Sequence, residues 1–387
     1  MNRIIAIILV LSLVSCKKST NEGEIIPNTI SICLDTISST HIIDSIDLIP
    51  LETSSKSIIH GIKKILYIES ENIFVILDKR NILTIFDQFG NFIINSEHIK
   101  GNGPNQYHSI LDIAHNPYLG TIEILQVDSR IKVYSYDLDF LETRDISLNK
   151  GYIPKRFFPL DSVNYIISPT FNMDECLFFV NTNNRNVQQI YYDKTIANLS
   201  MDVNSFYKLG DKYYFIPNGI NYYIYEIDSE KKAITPKIYL DFGKYAINKK
   251  TLPHQNNYSK GRTNEQDKVK LITNENINSE YLLESNEFLP IIKFFNKDYI
   301  YIHAIRNRKP YNYIYNRNNG KTFIQSINDP LPMKFCLGIF DNILYTYVQP
   351  YEVIQYIPQE FLSDKTQNIL NQIEEEDNIV IIKYVLR

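Results

Sequence analysis

One phrase recurs along this chain and restricts its fold more than any other feature: a run of β-branched and aromatic residues that closes on Asp or Asn. It reads ILTIFDQFG (82–90), IKVYSYDLD (131–139), VQQIYYDK (187–194), NYYIYEIDS (221–229) and YNYIYNRNNG (311–320). The closing residues Asp87, Asp137, Asp193, Asp228 and Asn316 stand 50, 56, 35 and 88 positions apart. The last gap contains a polar excursion of 42 residues, 244–285, and measures 46 without it. Branched and aromatic side chains suit a half-buried pleated surface, while Asn, Asp and Gly suit tight turns. The chain is therefore written in short strands that repeat every 40 to 50 residues or so.

That period, with four strands in each unit, predicts an all-β fold, a six-bladed β-propeller with four-stranded blades and short helical insertions. Five complete blades fall at 61–98, 109–148, 153–194, 204–243 and 287–327. A sixth begins with two strands at 333–350, continues through a helical pattern at 359–377 (Phe361, Leu362, Ile369, Leu370 and Ile373 on one side) and gains a third strand at 379–386. The missing strand is expected at the opposite end of the chain, at 43–51, because pairing it beside 379–386 closes the ring and removes an open sheet edge. A repeat fold also explains how so long a chain dispenses with a domain linker, since each unit packs only on its neighbours. The excursion at 244–285 is expected over one face of the ring, with NEQDKVKLIT (264–273) and NSEYLLES (278–285) each forming a short helix.

The first residues, MNRIIAIILVLSLVSCKK, hold an apolar run too short to span a bilayer comfortably and read as an export signal. Leu13, Val14, Ser15 and Cys16 look like a bacterial lipobox, which implies cleavage of 1–15 and lipidation of Cys16. Residues 16–40 then form a lipidated N-terminus and flexible tether, and 41–387 the propeller. The anchor places the protein in the envelope of a Gram-negative bacterium as an outer-membrane lipoprotein, facing the periplasm or the exterior. A formal charge of -4 and no long basic stripe exclude nucleic acid as a partner. Cys33, Cys176 and Cys336 lie far apart, and the last two sit in strand-like runs that predict buried free thiols.

Three stretches carry a resemblance to a known family. IPLETSSKSIIHGIKKI (49–65) is similar to a "PLET" opening before the first blade; FDQFGNFI followed by KGNGPNQY resembles Phe-Asp, Gly, then Gly-x-Gly-Pro-x-Glu-Tyr; and EEDNIVIIKYVLR resembles an acidic turn, Asn and Pro, then a last strand. Together they resemble the six-bladed β-propeller lipoproteins of Bacteroidetes, distantly similar to NHL-repeat propellers. Gln106 stands where that pattern has glutamate, and Ile379 where it has proline. The resemblance implies a fold and no particular reaction.

The stretch KGNGPNQYHSI (100–110) lacks the spacing and the helix of a phosphate loop, and Pro104 removes a backbone donor. It reads as the crossing from the outer strand of one blade to the inner strand of the next. Gly101 and Gly103 are expected to supply positive φ, Pro104 to stiffen the return and Tyr107 to wedge between blades. Such a crossing would lie beside the central opening, so Lys100, Asn105, Gln106, Tyr107 and His108 are candidate ligand-binding residues. The seven histidines form no metal motif, no nucleophile motif is present, and neither metal nor cofactor is expected. The composition thus points to a non-enzymatic binding or scaffolding propeller for a glycan, a peptide or an envelope protein. The alternative is a propeller-fold polysaccharide lyase or glycoside hydrolase, whose axial carboxylates would come from different blades and leave no linear motif.

Overall fold

The computed structural model describes residues 28–32, 37–38, 42–148, 152–170, 176–192, 196, 204–254, 265–326, 336–340 and 342–387. The signal sequence, Cys16, Cys33, Asp193 and residues 255–264 lie outside them. Three strands precede the first complete blade: β1 (Asn28–Ser31), β2 (Ile37–Ser38) and β3 (Ile43–Pro50). Blade 1 is β4 to β7 (Ile62–Ile68, Ile73–Asp78, Leu83–Asp87, Phe92–Asn95), and blade 2 is β8 to β11 (Asp112–Asn116, Thr121–Leu125, Arg130–Tyr134, Phe140–Asp145). Blade 3 is β12 to β15 (Pro154–Pro159, Asn164–Pro169, Cys176–Asn181, Asn186–Tyr191), and blade 4 is β16 to β19 (Phe206–Leu209, Lys212–Phe215, Tyr223–Asp228, Ala233–Asp241). After α1 (Glu265–Leu283), blade 5 is β20 to β23 (Leu289–Phe295, Tyr299–Arg306, Lys309–Asn316, Thr322–Ser326). Blade 6 holds β24 (Cys336–Phe340) and β25 (Ile343–Val348), then α2 (Pro350–Tyr356) and α3 (Asp364–Leu370), and finally β26 (Val380–Leu386).

Blade 6 is completed by β3, which lies antiparallel to β26 with Pro50 opposite Val380 and Ile46 opposite Tyr384. The ring is therefore closed by the N-terminal strand, as the missing strand of the last blade required. Asn378, the residue two before β26, fastens this closure. Its side chain accepts from the Ile59 amide at 2.9 Å and donates to the carbonyls of Glu52 at 2.7 Å and Ser57 at 3.0 Å. The two terminal stretches singled out in the sequence thus meet, and one buried amide satisfies three backbone groups of the crossing into blade 1.

The core is a ring of seams. In β5 every side chain is buried, but alternate residues serve different seams: Ile73, Val75 and Leu77 pack toward blade 2, Phe74 and Ile76 toward blade 6. A strand sandwiched on both faces must be apolar at every position, which is why the sequence shows continuous runs instead of alternation. In blades 1, 4 and 5 the repeated Asp or Asn closes the third strand. Asp87 accepts the amides of Phe89 and Asn91, Asp228 that of Lys231, and Asn316 those of Asn318 and Asn319, so each holds a turn. Cys176 and Cys336 are buried free thiols.

Three expectations change. Within 16–40, read as tether, β1 pairs parallel with β19 and β2 with β23, adding a fifth strand to blades 4 and 5. Ile30 and Ile32 are buried against blade 4, so even a four-residue segment gains enough apolar contact to cover a sheet edge. Second, among the described residues of the excursion one α-helix of 19 residues stands where two short ones were expected, because no Gly or Pro interrupts the intervening ITNENIN. It docks on the β21–β22 turn, where Arg308 pairs with Glu280 and Glu284 at 2.8 and 2.9 Å. Third, α2 was not anticipated. Pro350 occupies its first turn and Gln349 with Glu352 forms a capping box, a start signal hidden at the end of a strand run.

A candidate binding channel on the ring axis

The six inner strands β4, β8, β12, β16, β20 and β24 all start at the end of the ring where the chain crosses between blades, and they enclose an axial channel of about 760 Å³. In four of them the register slips by one residue near the start, between Ile62 and Lys64, Pro154 and Arg156, Pro290 and Ile292, and Cys336 and Gly338. A bulge at the rim of a sheet re-aims the side chains beside it. Lys64 and Arg156 stand immediately after such bulges, and both line the channel together with Asp112 of the blade between them.

These three form one tie. Lys64 Nζ donates to Asp112 Oδ1 at 2.7 Å and to the Ile113 carbonyl at 2.8 Å. Arg156 Nη1 lies 3.6 Å from the same carboxylate oxygen and donates to the Leu111 carbonyl at 3.2 Å, while Asp112 Oδ2 accepts the Phe157 amide at 3.2 Å. All three side chains are almost withdrawn from bulk water, at 14%, 1% and 7% exposure for Lys64, Asp112 and Arg156. A buried carboxylate held by two cations and an amide is fixed in place.

Rings form much of the remaining wall, among them Tyr67, Phe158, Phe206 and Phe340. Tyr67 stacks on Tyr345 at 5.1 Å and meets Phe340 edge-on at 5.5 Å, so the seam between blades 6 and 1 fixes it. At the far end Tyr118, from the first turn of blade 2, reaches past blade 3 to hydrogen-bond Tyr213 of blade 4. Lys208 donates to the Tyr118 hydroxyl at 3.1 Å and sits 4.6 Å from its ring centroid, a cation-π contact. His115 lines the same region; its Nε2 is 2.9 Å from the Tyr136 hydroxyl, and burial pushes its pKa below the ordinary value.

Among the described residues the lining carboxylates are Asp112 and Glu69. Asp112 is level with Lys64, and Glu69 follows five positions later just beyond the end of β4, so at the rise of a strand they are roughly 16 Å apart. Glycoside hydrolysis needs a pair within about 5 to 9.5 Å. Among the described residues no three His, Cys, Asp or Glu side chains gather as a metal site would require. The channel presents fixed charge at one end and ring faces along its length.

The crossing loop lies elsewhere. None of Lys100, Asn105, Gln106, Tyr107 or His108 lines the axial channel. Tyr107 is fully buried in the seam between blades 1 and 2, where its hydroxyl donates to the Asn81 carbonyl at 2.9 Å and bonds to Ser96, so it cannot touch a ligand. Burial pushes its pKa up to about 12. Gln106 accepts the Gly103 amide at 3.0 Å, and Lys100 donates to the Arg80 carbonyl at 2.6 Å. Asn105 and Pro104 are exposed, but their carbonyls are clamped by Tyr134 and Lys132 of blade 2. His108 is exposed, and its amide donates to Gln126 at 3.3 Å.

The glycines here serve space and not handedness: neither Gly101 nor Gly103 has positive φ. A Cβ on Gly101 would lie 2.3 Å from Gln106 Oε1, and one on Gly103 2.9 Å from the same atom. The loop also borders a separate groove of about 430 Å³ on blade 2, shared by Gly101, Gln106 and His108 with Arg130 and Lys132.

The axial residues were missed because they come from separate blades; Lys64 and Asp112 are 48 positions apart. A charged residue inside otherwise apolar GIKKILYI, ILDIAHN and IPKRFFP was the available signal, visible only when the blades are aligned on one another.

A family model described as "Domain of unknown function (DUF4934)" matches residues 27–385. No curated protein matches the chain. Among solved structures, a "Putative exported protein (BF0058)" of Bacteroides fragilis NCTC 9343 is similar at a TM-score of 0.71 and 14% identity, covering 94% of this chain and all of that one. The Cps50 (Swd1) β-propeller domain of Myceliophteria thermophila is similar at a TM-score of 0.43 and 8% identity, covering 88% of this chain and 99% of that one.

Proposed function

The chain belongs to the DUF4934 family, and on that premise we propose that it is a lipid-anchored envelope protein that binds a ligand, without catalysis, in its axial channel. The channel itself carries this reading. Its volume of about 760 Å³ falls in the range of ligand sites, and its wall joins ring faces to a few fixed polar groups. The separation of Glu69 from Asp112 favours binding over the hydrolase alternative. The lipobox ending at Cys16 supports the anchor, and the description of the Bacteroides neighbour as exported supports an envelope location.

Thermal unfolding of the full-length protein in detergent, against neutral glycans, acidic glycans and peptides, tests the reading. A ligand at 100 times its dissociation constant adds about 2.7 kcal/mol and raises the midpoint measurably. Leu66→Trp, which narrows the channel, is expected to reduce that rise. A rise unchanged by Leu66→Trp would place the ligand elsewhere and defeat the proposal.

A further inference from the structure

Lys132 and Lys293 are both buried, and the fold satisfies them unequally. Nζ of Lys293 reaches the carbonyls of Gly219, Asn221 and Pro290, one for each of its hydrogens. Lys132, in the third strand of blade 2, is 4% exposed, and among the described residues its ammonium bonds to the Pro104 carbonyl alone. Its other contact is the Phe140 ring, whose centroid lies 5.0 Å from Nζ, and it makes no ion pair among the described residues. A buried ammonium short of acceptors is costly, so its unspent hydrogens call for a partner from outside the chain.

This ammonium borders the groove of about 430 Å³ on blade 2, where other side chains are also rich in donors. Gln126, 1% exposed, spends its carboxamide oxygen on the His108 amide at 3.3 Å, and Gln106 spends its own on the Gly103 amide at 3.0 Å. Among the described residues neither Nε2 has an acceptor. Arg130 holds Asp128 through Nε at 2.8 Å and through Nη2, which leaves Nη1 and the outer hydrogen of Nη2. No carboxylate lines the groove among the described residues. Asp128, and Asp145 across the ladder, offset the guanidinium, so the groove selects by its surplus of donors more than by net charge.

We infer that this groove is a second ligand site, separate from the axial channel, and that it holds a phosphate or sulfate monoester. The group bound there must accept hydrogens without returning any, which a sugar hydroxyl does not do. An ionised carboxylate offers about four acceptor sites in one plane, fewer than Lys132, Arg130, Gln106 and Gln126 can fill from the crossing loop, the turn and the strand. A tetrahedral ester group offers three strong acceptor oxygens to the same donors. A bare ion would leave most of the groove empty, so the organic part of the ester lies beside Pro104 and Thr143.

Calorimetric titration of the full-length protein in detergent with glycerol phosphate, glycerol sulfate, glycerate and inorganic phosphate tests the inference. The two esters are expected to bind at least about tenfold more tightly than glycerate, the worth of a further hydrogen bond to a charged group, and more tightly than inorganic phosphate. Gln106→Glu still accepts the Gly103 amide but sets a carboxylate in the groove, and should weaken the esters at least about tenfold without loss of stability in urea. Lys132→Met keeps a stem on Phe140 and should weaken them as much, with circular dichroism confirming the fold. Leu66→Trp should leave ester binding unchanged. Equal binding of glycerate would overturn the tetrahedral assignment, and equal binding of inorganic phosphate would overturn the ester. Absence of ester binding, or binding untouched by both Gln106→Glu and Lys132→Met, would overturn the site itself.

Discussion

Lys293 offers a prediction in which magnitude and sign both follow from the fold. It lies in β20 of blade 5, 2% exposed, with Nζ donating to the Asn221 carbonyl at 2.8 Å and reaching those of Gly219 and Pro290 at 3.4 Å. Gly219 and Asn221 belong to blade 4, so the amine ties two blades. Burial lowers its pKa to about 7 from 10.5. The unfolded chain then holds this proton up to near pH 10.5 while the folded chain releases it near pH 7, and between those limits the unfolded state binds more protons. Stability must rise with pH across that window and level off below about pH 7, where both states hold the proton. Integrated over one site, the gain between pH 7 and pH 9 is about 2 kcal/mol. Urea midpoints followed by circular dichroism at pH 7, 8 and 9 would measure it, with Lys293→Met as the reference that removes the proton. The parent should gain stability relative to Lys293→Met by about that amount over the two units. Parallel pH profiles for the two proteins would refute the reasoning and show that the three carbonyls hold a full ammonium at no cost.

Other positions give sharper or smaller effects. Gly90 has φ of 90°, and a Cβ there would lie 2.2 Å from the Pro50 carbonyl oxygen, so Gly90→Ala should cost on the order of 3 kcal/mol or more in chemical denaturation. Gly101→Ala meets only the mobile end of Gln106 and should cost about 1 kcal/mol by the same assay, the loss of one hydrogen bond. Asn378→Ala strands three backbone groups at the ring closure and should cost roughly 2 to 4 kcal/mol, with hydrogen exchange rising first at Ile59. Tyr107→Phe should cost about 1 to 2 kcal/mol while leaving ligand binding unchanged, since the hydroxyl is spent on Asn81 and Ser96.

The blades and their closure were legible because their cause is local and repeated. Central strands such as β5 are buried on both faces, the third strands of blades 1, 4 and 5 end in turns held by Asp or Asn, and a ring with one strand missing at its end can be completed only from its beginning. What escaped notice depended on contacts between distant segments. Residues 28–32 look like tether because their polar composition hides two buried isoleucines, Ile30 and Ile32, whose partner strand lies more than 200 positions away. Gly101 and Gly103 looked like turn glycines, yet their cause is the carboxamide of Gln106 folded back onto them. The crossing loop drew attention as a site because its motif is contiguous. The axial tie of Lys64, Asp112 and Arg156 is assembled from three blades and has no motif at all.

The central claim is that a ligand occupies the ring axis, and the most direct measurement is the crystal structure of the protein with the first compound that raises its unfolding midpoint. Density along the channel, from Lys64 and Arg156 toward Tyr67 and Phe340, is the predicted result. Density in the blade 2 groove beside Gly101 and Arg130, with the axis filled only by water, would contradict it and return the binding role to the crossing loop.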